Sequence, residues 1–406
     1  MIVRRLTPDD ANQAQYISSL GWESLYREED LGNTDRFKNW QKPLKEVSDS
    51  RMWGAFTEDG VLSTSFTEIA HQIRFDGDWY RSCAIGGVVT RPDMRRMGAV
   101  RECLTTLFDY MRQEGIPFAT LLPFDVPFYR KFGYEGIYRI CNIMMPVRTL
   151  YKYKCDISHI SELGGEKTLP ELNQFYEETI ADMNMALKRD KKLWSGIVNF
   201  EPRTNRRYTY IRRDENGVLS GFMTFVQDKI DNAKTMKVVR FVYRDVEALQ
   251  EMLGFIYTFV AHYENVLFYE LPLSLDFYLM MEDYNSIKYE QKICNMLRVG
   301  DVEKTLNAKR YPEEEGKFSI KVTDSLDWNC GIYDVSFGAG SCHVTKRSSG
   351  DYDLAVDEKS FARIAFGEEA IASDVMRFIP NMEIVSNKAT LEKVFIKRPI
   401  FHSDFY

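Results

Sequence analysis

The stretch Gly87-Val-Val-Thr-Arg-Pro-Asp-Met-Arg-Arg-Met-Gly-Ala-Val-Arg101 constrains this chain more than any other. It reads as the end of an apolar strand, a turn carrying Arg95, Arg96 and Gly98, and the start of a helix. Val100, Cys103, Leu104, Leu107, Phe108 and Met111 recur at spacings of three and four, which makes one apolar stripe. Gly115 and Pro117 stop that helix, and Phe118-Ala-Thr-Leu-Leu122 follows as a second buried strand. The order strand–helix–strand gathers free backbone N–H groups, the positive end of a helix dipole and two guanidinium groups at one turn. Such a turn suits a pyrophosphate. Taken alone, the same residues also fit an ordinary Arg-rich turn in front of an amphipathic helix.

At 406 residues the chain exceeds one typical core, so two or three domains are expected. An apolar fraction of 44% with 26 Phe and 23 Tyr predicts globular packing around large aromatics. No apolar run reaches the roughly 18 residues of a membrane span, and Met1-Ile-Val-Arg-Arg-Leu6 enters strand-like sequence without an apolar leader. Seven cysteines without a C-x-x-C pair suggest reduced thiols and a cytoplasmic location. Five scattered histidines, at 71, 159, 262, 343 and 402, lack metal-ligand spacing, so no metal is expected. A net charge of −7 argues against a nucleic-acid partner and is compatible with a cationic substrate.

Three regions follow one another. Residues 1–150 combine a helix from Pro8 to about Tyr26, strands at Arg51–Thr57 and Val61–His71, an Asp76-Gly77 hairpin signal, a strand at Cys83–Thr90, and the strand–helix–strand just described. Residues 151–295 hold helices at Leu169–Asn184 and Asp190–Val198 and strands at Arg207–Arg213 and Leu219–Phe225. They then repeat the order: strand Lys237–Tyr243, helix Glu247–His262, strand Val266–Leu271. After Tyr243 the sequence is Arg-Asp-Val-Glu-Ala-Leu, with neither the glycine nor the paired arginines. Residues 296–406 carry a helix near Val302–Leu306, strands at Gly316–Val322, Gly331–Phe337 and Ser341–Lys346, helices at Glu358–Phe366 and Glu368–Ser373, and an aromatic tail, Phe401-His-Ser-Asp-Phe-Tyr406.

The Arg-x-x-Gly turn between strand and helix resembles the phosphate loop of the GNAT N-acetyltransferases. Phe128-Tyr-Arg-Lys-Phe-Gly-Tyr134 resembles a second GNAT signature. With Gly86-Gly-Val-Val-Thr-Arg-Pro92, Arg95-Arg-Met-Gly98 and the C-terminal aromatic residue, the full length is similar to the enhanced intracellular survival (Eis) family. The resemblance implies an α/β fold of two GNAT-type domains, the second degenerate, followed by a sterol-carrier-protein-like α+β domain. It implies an acetyl-CoA-dependent enzyme acting on amines of a polycationic small molecule such as an aminoglycoside, a polyamine or a lysine, and a homo-oligomer, hexameric in relatives.

Residue roles follow from the same resemblance. Val88, Val89 and Thr90 would offer backbone groups to the acetyl and pantetheine parts of acetyl-CoA. Arg95, Arg96, Met97, Gly98, Ala99, Val100 and Arg101 would hold the pyrophosphate, and Phe124 and Asp125 would line the next segment. Val100 departs from the Gly or Ala of many GNATs. Tyr129 would protonate the departing thiolate, and the α-carboxylate of Tyr406 would take the amine's proton. From the residues alone, Tyr129 also fits a core aromatic among Phe128, Phe132 and Tyr134, and the tail also fits a strand docked on its own domain. His71 and His402 read as packed histidines, and Glu28-Glu-Asp30 as solvated charge, while Asp404 lies close enough to the tail to attract a cation. A non-catalytic ligand-binding protein built on the C-terminal domain is the alternative; the intact arginine turn argues against it.

Overall fold

A computed structural model of the chain describes residues 1–21, 49–198, 206–272, 277–282, 284–379 and 381–402. Glu28, Glu29, Asp30, Asp404 and Tyr406 lie outside the described residues. In chain order the first elements are β1 (Ile2–Arg5), α1 (Ala11–Gly21), β2 (Ser50–Phe56), β3 (Leu62–Phe75), β4 (Asp78–Thr90), α2 (Ala99–Glu114), β5 (Phe118–Leu121), α3 (Val126–Arg130) and β6 (Glu135–Pro146). There follow β7 (Ile160–Glu162), α4 (Leu169–Thr179), α5 (Lys191–Ile197), β8 (Arg207–Arg213), β9 (Leu219–Ile230), β10 (Ala233–Tyr243), α6 (Val246–Tyr257), β11 (Asn265–Pro272) and β12 (Lys288–Val299). The chain closes with α7 (Val302–Ala308), β13 (Gly316–Thr323), β14 (Gly331–Gly338), β15 (Ser341–Arg347), β16 (Leu354–Asp357), α8 (Glu358–Phe366), β17 (Met382–Ile384) and α9 (Lys388–Val394), with short helical turns between elements.

Two compact units result, and they do not follow chain order. One joins Met1–Ile137, Met183–Lys188 and the chain from Asn295 on; the other joins Tyr138–Asp182 and Arg189–Cys294. In the first unit the strand order is β1-β2-β3-β4-β5 and then the C-terminal end of β12. Neighbours are antiparallel except β4 and β5, which run parallel because α2 carries the chain back between them. The apolar stripe of α2 (Cys103, Leu104, Leu107, Phe108, Met111) is buried on Trp53, Phe66, Ile85 and Leu121. Gly115, at φ 69, caps α2 in the left-handed conformation that glycine adopts without strain. Asp76 (φ 46) and Gly77 (φ 101) make the tight turn of the β3–β4 hairpin, which lets β3 run on to Phe75, past the His71 end read from the sequence.

Beyond Ile69 the free edge of β3 is taken by Met183–Lys188. The Arg74 N–H donates to the Ala186 carbonyl, and the Met185 and Lys188 N–H groups donate to Arg74 and Gln72 (2.8–2.9 Å). This pairing ends α4 at Thr179, short of the Asn184 expected from periodicity. Residues 399–402 pair in turn with 184–185. The Asn184 N–H donates to Pro399, the Phe401 N–H to Asn184, and His402 Nδ1 lies 2.9 Å from the Met185 carbonyl oxygen. His402 is fully buried in this contact. Segment 184–188 runs antiparallel to β3, and 399–402 runs parallel to that segment. The tail therefore travels along β3 from Arg74 toward the half that pairs with Gly86.

The C-terminal part of this unit is a five-stranded sheet in the order β15-β14-β13-β16-β17. Its inner face is filled by side chains of the region itself: Phe318, Ile320, Val335, Leu354, Phe361, Ile364, Phe366, Leu391 and Phe395. The same cluster takes in Phe75 and Phe118 of the first region, with the Phe366 ring 4.6 Å and 5.0 Å from theirs. Glu368–Ser373, expected to be helical, is a run of turns. Gly367 at φ 75 ends α8, and the Ile371 N–H donates to the Phe395 carbonyl instead of to a helical partner.

The second unit orders its strands β6-β11-β10-β9-β8-β7. Here β10 and β11 are parallel with α6 between them, repeating the β4–α2–β5 arrangement. Leu249, Met252, Leu253 and Ile256 of α6 are buried on Met223, Val238 and Phe268.

Candidate active site

The site forms where β4 and β5 part. Their pairing runs from Ser82↔Phe118 to Ile85↔Leu121 and stops there, while β4 continues to Thr90. On its other side β4 stays bonded to β3 through Ser65↔Val89 and Thr64↔Thr90, with an extra β4 residue in the register before Thr67↔Gly86. That bulge sits at Gly87, whose φ of 59 is open to glycine. Among the described residues, the β5-facing edge of Gly86–Thr90 therefore lacks a strand partner, and its N–H and C=O groups line an opening.

The N-terminus of α2 stands at that opening. Gly98, at φ 83, is the capping position, and among the described residues no side chain caps the first N–H groups of the helix. An added Cβ at Gly98 would meet none of the described residues within 4 Å. Arg96 (φ 65) and Gly98 are both left-handed, a conformation that turns successive N–H groups toward one side and suits an anion. Arg95, Arg96 and Met97 are exposed, and neither guanidinium meets a partner among the described residues. Arg91, by contrast, is held by Asp93 at 2.9 Å. Three unmet needs coincide at this turn: uncapped amides, a positive helix end and two free cations. A diphosphate meets all three.

Tyr129 is buried in the same cluster as Ile85 of β4 and Ala99 of α2. Its five-residue helix, α3, is capped by Asp125, which accepts a bond from the Phe128 N–H at 3.0 Å. Tyr129 is 2% exposed and is ringed edge-on by Phe124, Phe128 and Tyr134 at 5.4, 5.1 and 6.1 Å. That burial pushes its hydroxyl up to about 12, so the phenol is fully protonated at neutral pH. Arg101, in the first turn of α2, stacks on Phe132 three residues beyond Tyr129. Val88, Val100, Val126, Phe128 and Phe132 pack on one apolar cluster that contains Ile85, Ala99 and Tyr129. Of the residues expected at the site, Val88, Ala99, Val100 and Tyr129 share this cluster, Val89 packs on another with Leu6 and Ile17, and Phe124 is exposed. Tyr406 lies outside the described residues, and the described tail ends at His402, hydrogen-bonded within the fold.

The second unit shows what the repeat lacks. Pairing of β10 with β11 stops at Val238↔Phe268, and β10 also carries a register shift at this point. Yet α6 begins with Asp245, whose carboxylate accepts the Ala248 N–H at 2.8 Å. An acid occupies the place of Gly98, satisfying the amide and repelling a phosphate. The missing arginines are plain in the sequence, and the cap has its own signal there, Asp-x-x-Ala before an apolar helix.

Comparison with known proteins gives these features a class. Residues 2–137 match the acetyltransferase (GNAT) domain model, residues 185–299 match a second acetyltransferase (GNAT) domain model, and residues 302–396 match the sterol carrier protein domain. The protein is an acyltransferase with two GNAT domains and a C-terminal sterol-carrier-like domain, and this fold uses an acyl-CoA and an acceptor. An uncharacterized N-acetyltransferase of Streptomyces griseus is 21% identical over 91% of this chain and 90% of its own length. Among solved structures, a probable N-acyltransferase of Enterococcus faecalis superposes with a TM-score of 0.83 at 16% identity over 100% of this chain and 99% of its own. Eis1 of Mycobacterium abscessus superposes with a TM-score of 0.77 at 16% identity, covering 100% of both chains. At these identities the structural likeness concerns the fold.

Proposed function

We propose that the chain is an acetyl-CoA-dependent N-acetyltransferase of the Eis type acting on amines of a cationic small molecule. The observation that carries this reading is the uncapped, doubly cationic start of α2 beside the parted strands and a protonated, buried Tyr129. Arg95–Arg101 bind the diphosphate, Val88–Thr90 hydrogen-bond along the pantetheine arm, and Phe124 and Asp125 border it. The amine nitrogen forms a bond to the thioester carbon, and backbone N–H groups of the Gly86–Thr90 edge hold the oxyanion. The C–S bond then breaks and sulfur takes the Tyr129 proton. Burial makes a free tyrosinate costly, so Tyr129 must regain a proton as it gives one. The substrate ammonium gives one proton to the Tyr406 α-carboxylate before it attacks, and the nitrogen, once bonded to the carbonyl carbon, gives a second that restores Tyr129. The described tail supports that role by running along β3 toward the Gly86 level. The sterol-carrier-like domain packs Phe361, Phe366 and Phe395 into one cluster with Phe75 and Phe118, which favours a role in supporting the site over that of a separate lipid carrier.

CoA release with acetyl-CoA and a panel of aminoglycosides and polyamines tests the reading. Turnover with at least one amine is expected; an inert panel with no acetyl-CoA binding would sink it. Replacing Arg95 and Arg96 together by alanine is expected to raise KM for acetyl-CoA by about 10-fold or more, since charge-assisted bonds are worth ~1.5–3 kcal/mol each. In that variant kcat should hold and the defect should shrink at high salt. An unchanged KM would remove these arginines from the diphosphate site.

A further inference from the structure

We propose that Arg363, in the sterol-carrier-like domain, is a positioning residue for Tyr129, acting through Glu135 and Arg130. The inference rests on the assignment of Tyr129 above. It begins from a weakness: a helix as short as α3 cannot hold its own shape, yet it carries the reacting hydroxyl. Asp125 secures its N-terminal end. Its C-terminal end is secured from the other domain. Arg130, next to Tyr129, donates to Glu135 Oε2 from Nε at 2.9 Å and from Nη2 at 2.8 Å. Arg363 on α8 donates to the other oxygen, Oε1, at 2.8 Å. Glu135 is 1% exposed, and its Oε1 also accepts the Gly136 N–H at 2.9 Å. Arg363 is itself held by Glu368 through its second nitrogen.

A second contact bears on the same turn. Gly133, at φ 78, lies against Arg298, so closely that a Cβ there would come within 2.7 Å of Arg298 Nε. Arg298 is gripped by Asp324 of the sterol-carrier-like domain, with both side chains fully buried. Its guanidinium lies over Phe108, Phe108 meets Tyr134 at 6.0 Å, and Tyr134 meets Tyr129. The turn from Tyr129 to Glu135 is therefore seated on two charged anchors, both fastened in the C-terminal region. Among these, Arg363 is the one that can be removed with least harm to folding, because Arg130 remains to neutralise Glu135.

The test is a double-mutant cycle of Arg363→Ala with Tyr129→Phe in the full-length protein, with Arg363→Lys alongside. Alone, Arg363→Ala is expected to lower kcat by ~10–100-fold, the scale of a small misplacement of a reacting group, with acetyl-CoA affinity within about twofold of wild type. A loosened Tyr129 gains water, so the alkaline limb of kcat moves down toward the ordinary tyrosine value. Arg363→Lys keeps the charge and should recover part of the loss. In the Tyr129→Phe background Arg363→Ala should cost almost nothing further. The proposal is overturned if Arg363→Ala keeps wild-type kcat while Tyr129→Phe is impaired, or if the two losses multiply. Wild-type kcat in Tyr129→Phe itself would instead overturn the parent assignment, and this one with it.

Discussion

Tyr129→Phe is expected to lower kcat by about 10²–10⁴-fold, the usual worth of a positioned general acid, while acetyl-CoA binding changes little. The substitution removes one oxygen from a ring that Phe124, Phe128 and Tyr134 already enclose. Packing is therefore preserved, and stability should stay close to wild type. A thiolate leaving group then departs without its donor. Because burial raises the hydroxyl to about 12, the wild-type enzyme keeps its donor protonated throughout the neutral range, and loss of the donor form can enter only as pH rises toward that value. The variant should lose this alkaline limb along with its rate. Steady-state kinetics across pH, paired with an acetyl-CoA binding isotherm, check both points. Equal kcat in wild type and variant would make Tyr129 a core aromatic and nothing more.

Asp324→Ala is expected to be the most destabilising single change near the site, by about 3–5 kcal/mol, the scale of an ion left unpaired in an interior. Arg298 and Asp324 are both fully buried. Asp324 also accepts the Leu326 N–H at 2.8 Å and the Asn329 side-chain amide at 2.9 Å. Alanine removes the guanidinium's counter-charge, leaving it the Val299 carbonyl, and takes an acceptor from two further donors at once. Arg298→Met is a milder change, because it removes the buried cation but leaves Asp324 with those two donors. Gly133→Ala attacks the same place from above: φ 78 disfavours any Cβ, and the space is taken by Arg298. Thermal denaturation at a fixed acetyl-CoA concentration reads these effects. A midpoint unmoved by Asp324→Ala would show that the pair carries no load.

What the sequence made legible was local. The stripe of α2, its Gly115 stop and the Asp76-Gly77 hairpin each follow from spacing or turn chemistry within a few residues, and the arginine turn sits directly against them. The resemblance then supplied Tyr129. What stayed hidden was long-range pairing. Met183 and Asn184 look like the end of a helix until β3 claims Met183–Lys188, and Glu368–Ser373 has helix-forming composition but is bound to Phe395 and Arg363. Glu135 and Arg363 stand 228 residues apart. Glu135 directly follows the Phe-Gly-Tyr motif, yet nothing in either local sequence names its distant partner. Charged residues advertise that they need a partner, not which one.

The proposed reaction is acetyl transfer beside the Gly86–Thr90 edge, with the α-carboxylate of Tyr406 taking the amine's proton. The most direct measurement is the mass of the products formed from acetyl-CoA and a polyamine or aminoglycoside panel by the full-length protein and by a variant lacking only Tyr406. The expected result is an acetylated amine with the full-length protein and strongly reduced product without Tyr406, at equal acetyl-CoA binding. Acetylation at the full rate without Tyr406 would contradict the tail's role, and no acetylated amine in either sample would contradict the proposed N-acetyltransferase.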